Sequence, residues 1–332
     1  MNFLKVERRY FPILVTVALF IVMFAAGSIE YNGFFSLQVF LNLLIDNAFL
    51  LITAVGMTFV IITGGIDLSV GSMIAFTTML SATLVQNHHW SPWLVIPFVL
   101  LVGSFFGWSM GCLIQYFKLQ PFIVTLAGMF LARGLCYLIS IESITIDNKW
   151  YQTVSQTKVY VFGKNYISIS VIIALVVVAA AIYIAHYTKF GRNVYALGGS
   201  EQSSLLMGLP VARTKVLVYT LSGFCSSLAG VVFTFYMLSG YGLHAVGMEL
   251  DTIAAVVIGG TLLTGGTGYV VGTIFGVLIQ GIIQTLIMFQ GTLSSWWTKI
   301  AIGMLLFLFI VLQKVFISRK KRAVQPHNHI VS

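Results

Sequence analysis

Apolar residues run along this chain in long unbroken blocks, with the polar residues gathered into short stretches between them. An α-helix needs about 20 apolar residues to cross a hydrocarbon core. By that measure ten blocks stand out, over residues 11–29, 44–63, 69–86, 93–116, 121–140, 167–187, 216–237, 251–264, 268–289 and 297–313. The blocks are continuous rather than alternating, so they predict helices and not the strands of a barrel. The expected fold is all-α and integral to a membrane. It is read as one transmembrane domain over residues 1–317, followed by a basic, disordered tail over 318–332. The eighth block is short and interrupted by glycine.

Composition strengthens this reading. The chain is 58% hydrophobic and 8% charged, against about a quarter charged in soluble domains. The net charge of +9 would point to nucleic acid on a soluble protein, but here its distribution along the chain matters more than its sum. With the first residue inside, the inner segments hold thirteen basic residues: Lys5, Arg8, Arg9, Lys118, Lys189, Arg192, Arg213, Lys215, Lys314, Arg319, Lys320, Lys321 and Arg322. The outer segments hold only Lys149, Lys158 and Lys164. That asymmetry places both termini in the cytoplasm and requires an even number of spans. The first block follows Lys5, Arg8 and Arg9 as a signal core would, but it is longer than such a core and is read as a retained span. Cys112, Cys136 and Cys225 sit singly in apolar blocks, with no disulfide or metal spacing.

Two blocks are followed by related stretches. GGIDLSVGSMIAF follows the second and GMELDTIAAVVIGG the seventh, each placing an Asp (Asp67, Asp251) before a run of small and apolar residues. Spans 2–5 and 7–10 would then be inverted repeats, since the two groups start from opposite sides. Outside the membrane, the Ile/Thr/Val/Tyr alternation within 141–166 predicts a short strand or a re-entrant structure. His88 and His89 lack a third ligand and are read as a solvated turn rather than a metal site. The basic tail is expected to touch anionic lipid.

Few residues could carry chemistry. Asp67 lies in Gly64-Gly65-Ile66-Asp67-Leu68-Ser69. The glycines permit a sharp turn, and Asp67 or Ser69 can cap the next helix. The other reading makes them gate or pathway residues, as for Asp251. Arg133 lies within the fifth block and needs a buried acceptor or a water-filled cavity, because a charge at mid-helix costs about 2.5–3.5 kcal/mol. Its candidate partners are Asp67, Glu249, Asp251 and helix C-terminal carbonyls. A structural ion pair and a contact to a sugar hydroxyl both fit. Lys299 with Trp296 and Trp297 reads as an interfacial belt. Gly103, Gly107 and Gly111, and again Gly268, Gly272 and Gly276, repeat at every fourth position, as closely packed membrane helices require. Gly259-Gly260 to Gly265-Gly266 reads as a broken helix beside a pathway. No GxxxxGK[ST] or HExxH occurs, so neither phosphate-loop nucleotide binding nor a zinc hydrolase of that type is expected.

The longest inner polar stretch is 188–215, TKFGRNVYALGGSEQSSLLMGLPVARTK. Gly191 and Gly198-Gly199 are read as framing a turn. Ser200 can then cap a short amphipathic helix that Gly208 ends, with Pro210 beyond. Leu205, Leu206 and Met207 could enter a partner's apolar groove or lie on the membrane surface.

FGRNVYALGGSEQSSLLMGL and AVGMTFVIITGGIDLSVGS resemble two distinctive segments of the permeases of bacterial sugar ABC importers of the ribose/xylose/galactose type. PFIVTLAGMFLARG and ELDTIAAVVIGGTLLTGGTG match further blocks, so the likeness covers about residues 10–315. NLLIDNAFLLITAVGMTFVI and FQGTLSSWWTKIAIG look most like a galactofuranose importer permease. The resemblance implies a ten-span inner-membrane permease with no cofactor of its own. It also implies a second permease, identical or sister, a cytoplasmic ATPase holding ATP and magnesium, and a periplasmic protein that delivers a monosaccharide. Gly199, Glu201, Leu205, Leu206, Met207 and Gly208 would couple to the ATPase. Ser203 and Ser204 depart from the alanines common in relatives. The alternative is an ion-coupled secondary transporter with Asp67, Arg133 and Asp251 as its relay.

Overall fold

The computed structural model describes residues 11–294 and 296–324. In chain order, its first half holds helices α1 (Phe11–Glu30), α2 (Leu37–Asp46), α3 (Ala48–Ile62), α4 (Val70–Ala82), α5 (Pro92–Tyr116) and α6 (Pro121–Ile139). A small mixed segment follows, made of β1 (Ile144–Thr145), α7 (Lys149–Gln156), β2 (Lys158–Phe162) and β3 (Asn165–Ser168). Then come α8 (Ile169–Tyr187), α9 (Lys189–Gly199), α10 (Glu201–Leu206), α11 (Val211–Met237), β4 (Ser239–Gly240), α12 (Met248–Ile258), α13 (Val270–Gln290) and α14 (Trp296–Val324).

All ten apolar blocks fall on helices, which makes the fold all-α. Ten complete spans are not what the helices form. Seven described helices are long and apolar enough to cross a bilayer, and α2 with α3, bent by 59°, make an eighth. The third and eighth blocks are shorter. Helix α4 has 13 residues before a five-residue π-helical turn, Thr83–Asn87, and α12 has 11. At 1.5 Å per residue, α12 reaches about half-way through a ~30 Å core. Glycines cause the breaks. Gly64 and Gly260 take φ of +80° and +92°, and each closes a helix with the paired backbone bonds of a Schellman motif. At the first, Gly65 N donates to Val60 O and Gly64 N to Ile61 O; at the second, Thr261 N donates to Val256 O and Gly260 N to Val257 O.

Broken backbone is tolerated at membrane depth only inside protein, and the helices that carry these breaks are inside. Helices α3, α4 and α12 are buried over most of their length. Around them α5, α6 and α14 turn large apolar side chains outward, among them Leu101, Phe105, Phe130, Leu131 and Phe307. The glycine repeats set two close crossings. Gly103 and Gly111 of α5 face α11, where a Cβ would stand 2.8 Å from Gly223 O and 2.9 Å from Val216 Cα respectively. Gly276 of α13 faces α12, where a Cβ would be 3.0 Å from Gly259 N. The packing order follows the proposed duplication: α4 lies on α6 as α12 lies on α14, and α11 meets α4 and α5 as α3 meets α12 and α13.

Three readings change. Gly191, Gly198 and Gly199 do not frame a turn but sit within α9, where Gly191 and Gly198 serve close backbone approach. The last helix runs to Val324, so residues 318–324 of the expected tail are helical, while 325–332 lie outside the described residues. The segment 141–166 holds a helix as well as strands. β1 pairs antiparallel with β4 (Ile144↔Gly240), and β2 with β3. In α7, Tyr151 is wholly buried, and burial pushes its phenol up to about 12.

Candidate functional site

The first break is held by Asp67. Its carboxylate is fully buried and accepts from Ser69 N at 2.9 Å, Ser69 Oγ at 2.6 Å and Ser222 Oγ of α11 at 2.7 Å. A buried charge needs such donors. Asp67 thus steers the chain into α4 and ties the break to α11, by a turn onto Ser69 and not by the cap on α4 that was expected. Ser69 precedes α4 and makes no side-chain cap to it; its hydroxyl goes to Asp67. Ser222, the second anchor, carried no sequence signal, being one hydroxyl among several on an apolar helix.

A strap of successive turns over 241–247 precedes the eighth block. From Gly240, where a Cβ would stand 2.9 Å from Met79 Cα, the chain follows α4 back to its first turn. There Ala245 O and Glu249 Oε2 each lie 2.6 Å from where a Gly71 Cβ would be. Midway, Thr78 Oγ1 and His244 Nδ1 are 3.4 Å apart. Arg133 of α6 fastens the strap, donating to Gly242 O at 2.5 Å and His244 O at 2.8 Å. Its hydrogen-bond partners are therefore loop carbonyls and neither Asp67 nor Asp251, although Glu249 is near enough to act through its charge. Asp251, in the first turn of α12, pairs with Lys299 of α14, so Lys299 is a tie between helices. Asp67, Arg133 and Asp251 each have separate partners, so the structure does not assemble them into a relay.

On the face carrying Lys118, Lys189 and Arg213, the segment 188–215 is folded and compact. Thr188 caps α9, its Oγ1 accepting from Gly191 N at 3.1 Å. Ser200 caps α10, accepting from Ser203 N at 3.2 Å. Gly208, with φ of +72°, ends α10 in another Schellman motif, through Leu209 N to Ser204 O and Gly208 N to Leu205 O. Glu201 pairs with Lys215 at 2.7 Å and fastens α10 to α11. Ser204 turns inward, whereas Leu205, Leu206 and Met207 are 57%, 84% and 66% exposed.

Above α10, α9 reaches both breaks. Gly266 N donates to Ile62 O at 2.8 Å, using a carbonyl left free at the end of α3. A Cβ on Gly198 would collide with that same oxygen and stand 2.5 Å from Gly266 N. A Cβ on Gly265 would be 2.9 Å from Gly64 N and 3.1 Å from Gly198 O. Tyr195 OH donates to Gly268 O at 2.8 Å. Three glycine pairs, 64–65, 198–199 and 265–266, thus converge where the two broken spans meet α9.

Broken spans enclosed in a helical bundle, with an ordered polar appendage on one face, are the build of a transport permease. The chain belongs to the family described as "Branched-chain amino acid transport system / permease component", whose sequence model matches residues 39–310. It is 51% identical over 307 residues to the inner membrane ABC transporter permease protein YjfF of Escherichia coli, covering 92% of this chain and 93% of that one. It is 41% identical to the fructose import permease protein FruG of Bifidobacterium longum (93% and 92% covered). To the ribose import permease protein RbsC of Haemophilus influenzae it is 38% identical, with 95% of each covered. No solved structure matches the chain. The chain is a transport subunit and not an enzyme; ATP hydrolysis belongs to a separate ATPase.

Proposed function

We propose that this chain is the inner-membrane permease of an ATP-driven, binding-protein-dependent importer of a monosaccharide, galactofuranose or a sugar close to it. The observation that carries the reading is α10. It is capped at both ends, pinned to α11, and presents Leu205, Leu206 and Met207 on the face rich in Lys and Arg. An apolar helical face of this kind suits the groove of a soluble partner, here the cytoplasmic ATPase that holds ATP and magnesium. Import of a sugar is supported by relatives named as fructose and ribose import permeases. Galactofuranose is supported by the blocks around Asn42–Ile61 and Phe289–Gly303.

In this reading both termini are cytoplasmic, and a second permease, identical or sister, completes the sugar path. A periplasmic binding protein delivers the sugar to the outer face. Arg133 and Asp251 gate the path by holding the strap and α12, while Asp67 and Ser69 fix the break at its inner end. Nucleotide drives transport only so far as the ATPase grips α10 differently in its two states.

The test is uptake by the permeases, ATPase and binding protein reconstituted in proteoliposomes, with a panel of labelled pentoses and hexoses that includes furanose forms. The expected result is import that needs ATP, persists with an uncoupler present, and is strongest for galactofuranose. Import that collapses with the uncoupler while ATP is held constant would contradict it.

A further inference from the structure

We infer that α9 is the transmission of this permease, and that Gly198 is the seat through which it moves both broken spans together. The inference rests on the coupling reading above and adds the route that force takes beyond α10.

Two routes lead from α10 into the membrane. One runs directly along the chain into α11, which Glu201 reaches through Lys215. That pair is partly solvated, and such pairs hold little, so it is a weak strut. The other runs through α9. At its first turn α9 is pressed on the end of α8, because a Cβ on Gly191 would strike the carbonyls of Ile184 and Ala185. At its last turn Gly198 lies on the Ile62 carbonyl, the same oxygen that binds Gly266 N. Tyr195 adds its bond to Gly268 O, two residues before α13. Helix α9 therefore bears at once on the end of α3, which leads through Asp67 into α4, and on the 262–268 loop that joins α12 to α13.

This geometry explains a glycine that helix propensity disfavours. Glycine within a helix is less favourable than alanine, and Gly198 needs no left-handed backbone. It is needed because backbone lies against backbone with no room for a methyl group. A contact without side chains has no rotamers to absorb motion, so a displacement of α9 passes to both loops. Packed elements of this kind shift between discrete arrangements rather than deform continuously.

The experiment uses the complete reconstituted importer, comparing wild type with Gly198→Ala, Tyr195→Phe and Gly303→Ala. Copurification of the ATPase, its hydrolysis rate and sugar imported per ATP are measured for each. For Gly198→Ala the expected result is an inserted, ATPase-bound complex that hydrolyses ATP but imports about tenfold less sugar per ATP, an ordinary size for a coupling. Tyr195→Phe, which removes one bond and adds no volume, gives a smaller loss of the same kind. Gly303→Ala, whose Cβ stands in open space on α14, behaves as wild type. An inserted, ATPase-bound Gly198→Ala complex with wild-type import per ATP overturns the inference. If Gly198→Ala does not insert, wild-type import per ATP by Tyr195→Phe overturns it instead. A wild-type complex that imports no sugar with ATP would be a failure of the importer reading, which the Gly198 comparison leaves separate.

Discussion

Asp67 shows how much rests on one side chain. A fully buried carboxylate in an apolar bundle is stable only with its donors in place, and here three donors from two segments supply them. Removing the acceptor strands those donors, at about 1–3 kcal/mol for each group left unpaired. Asp67→Ala is therefore expected to lower stability by about 2–4 kcal/mol, seen as a clear fall in the thermal unfolding midpoint of the detergent-solubilised protein. Asp67→Asn keeps the side chain's shape and an accepting oxygen, and should lose less than half as much. Equal melting of Asp67→Ala and wild type would mean that the carboxylate does not hold the break. The same residue also marks the reach of sequence reading. The turn was legible from two glycines followed by an Asp and a Ser, although neither side chain caps α4. Its partner Ser222 lies 155 positions away and leaves no local trace.

At the scale of elements, helix ends were the most legible feature. Gly64 and Gly208 end helices where turn chemistry predicts, and Ser200 caps α10 as expected. The fourfold glycine spacing on α5 and α13 likewise translates into close crossings. Two features were hidden for physical reasons. Gly198-Gly199 permits either a turn or a tight contact, and only the packing of α9 on Ile62 decides between them. The strap preceding α12 is a run of turns, so it carries neither helical periodicity nor the length of a span. Arg133 did signal a need for acceptors, but backbone carbonyls have no signature in a sequence. The element most exposed to test is α10. Leu205→Asp places a charge on its apolar face while leaving the Ser200 cap and the Glu201–Lys215 tie intact. The expected outcome is loss of ATPase copurification with normal membrane insertion. Normal ATPase binding by Leu205→Asp would remove α10 from the coupling role.

For the whole molecule, the short helices α3, α4 and α12 lie in the buried centre with α11 and α13, while α1, α5, α6, α8 and α14 form the wall, an arrangement that keeps broken spans inside protein. The glycine-broken ends of α3 and α12 converge on one face, and α9 and α10 are folded against them there. The account therefore depends on which side of the membrane that face occupies. The direct measurement is the labelling of Ser203→Cys, an exposed position on α10, by a membrane-impermeant maleimide. Cys112, Cys136 and Cys225 would first be replaced by serine. Intact spheroplasts should leave the new cysteine unlabelled and permeabilised ones should label it, while Lys164→Cys in the β2–β3 hairpin should react in both. Labelling of Ser203→Cys in intact spheroplasts would put α10 beyond the reach of any cytoplasmic ATPase and contradict the account.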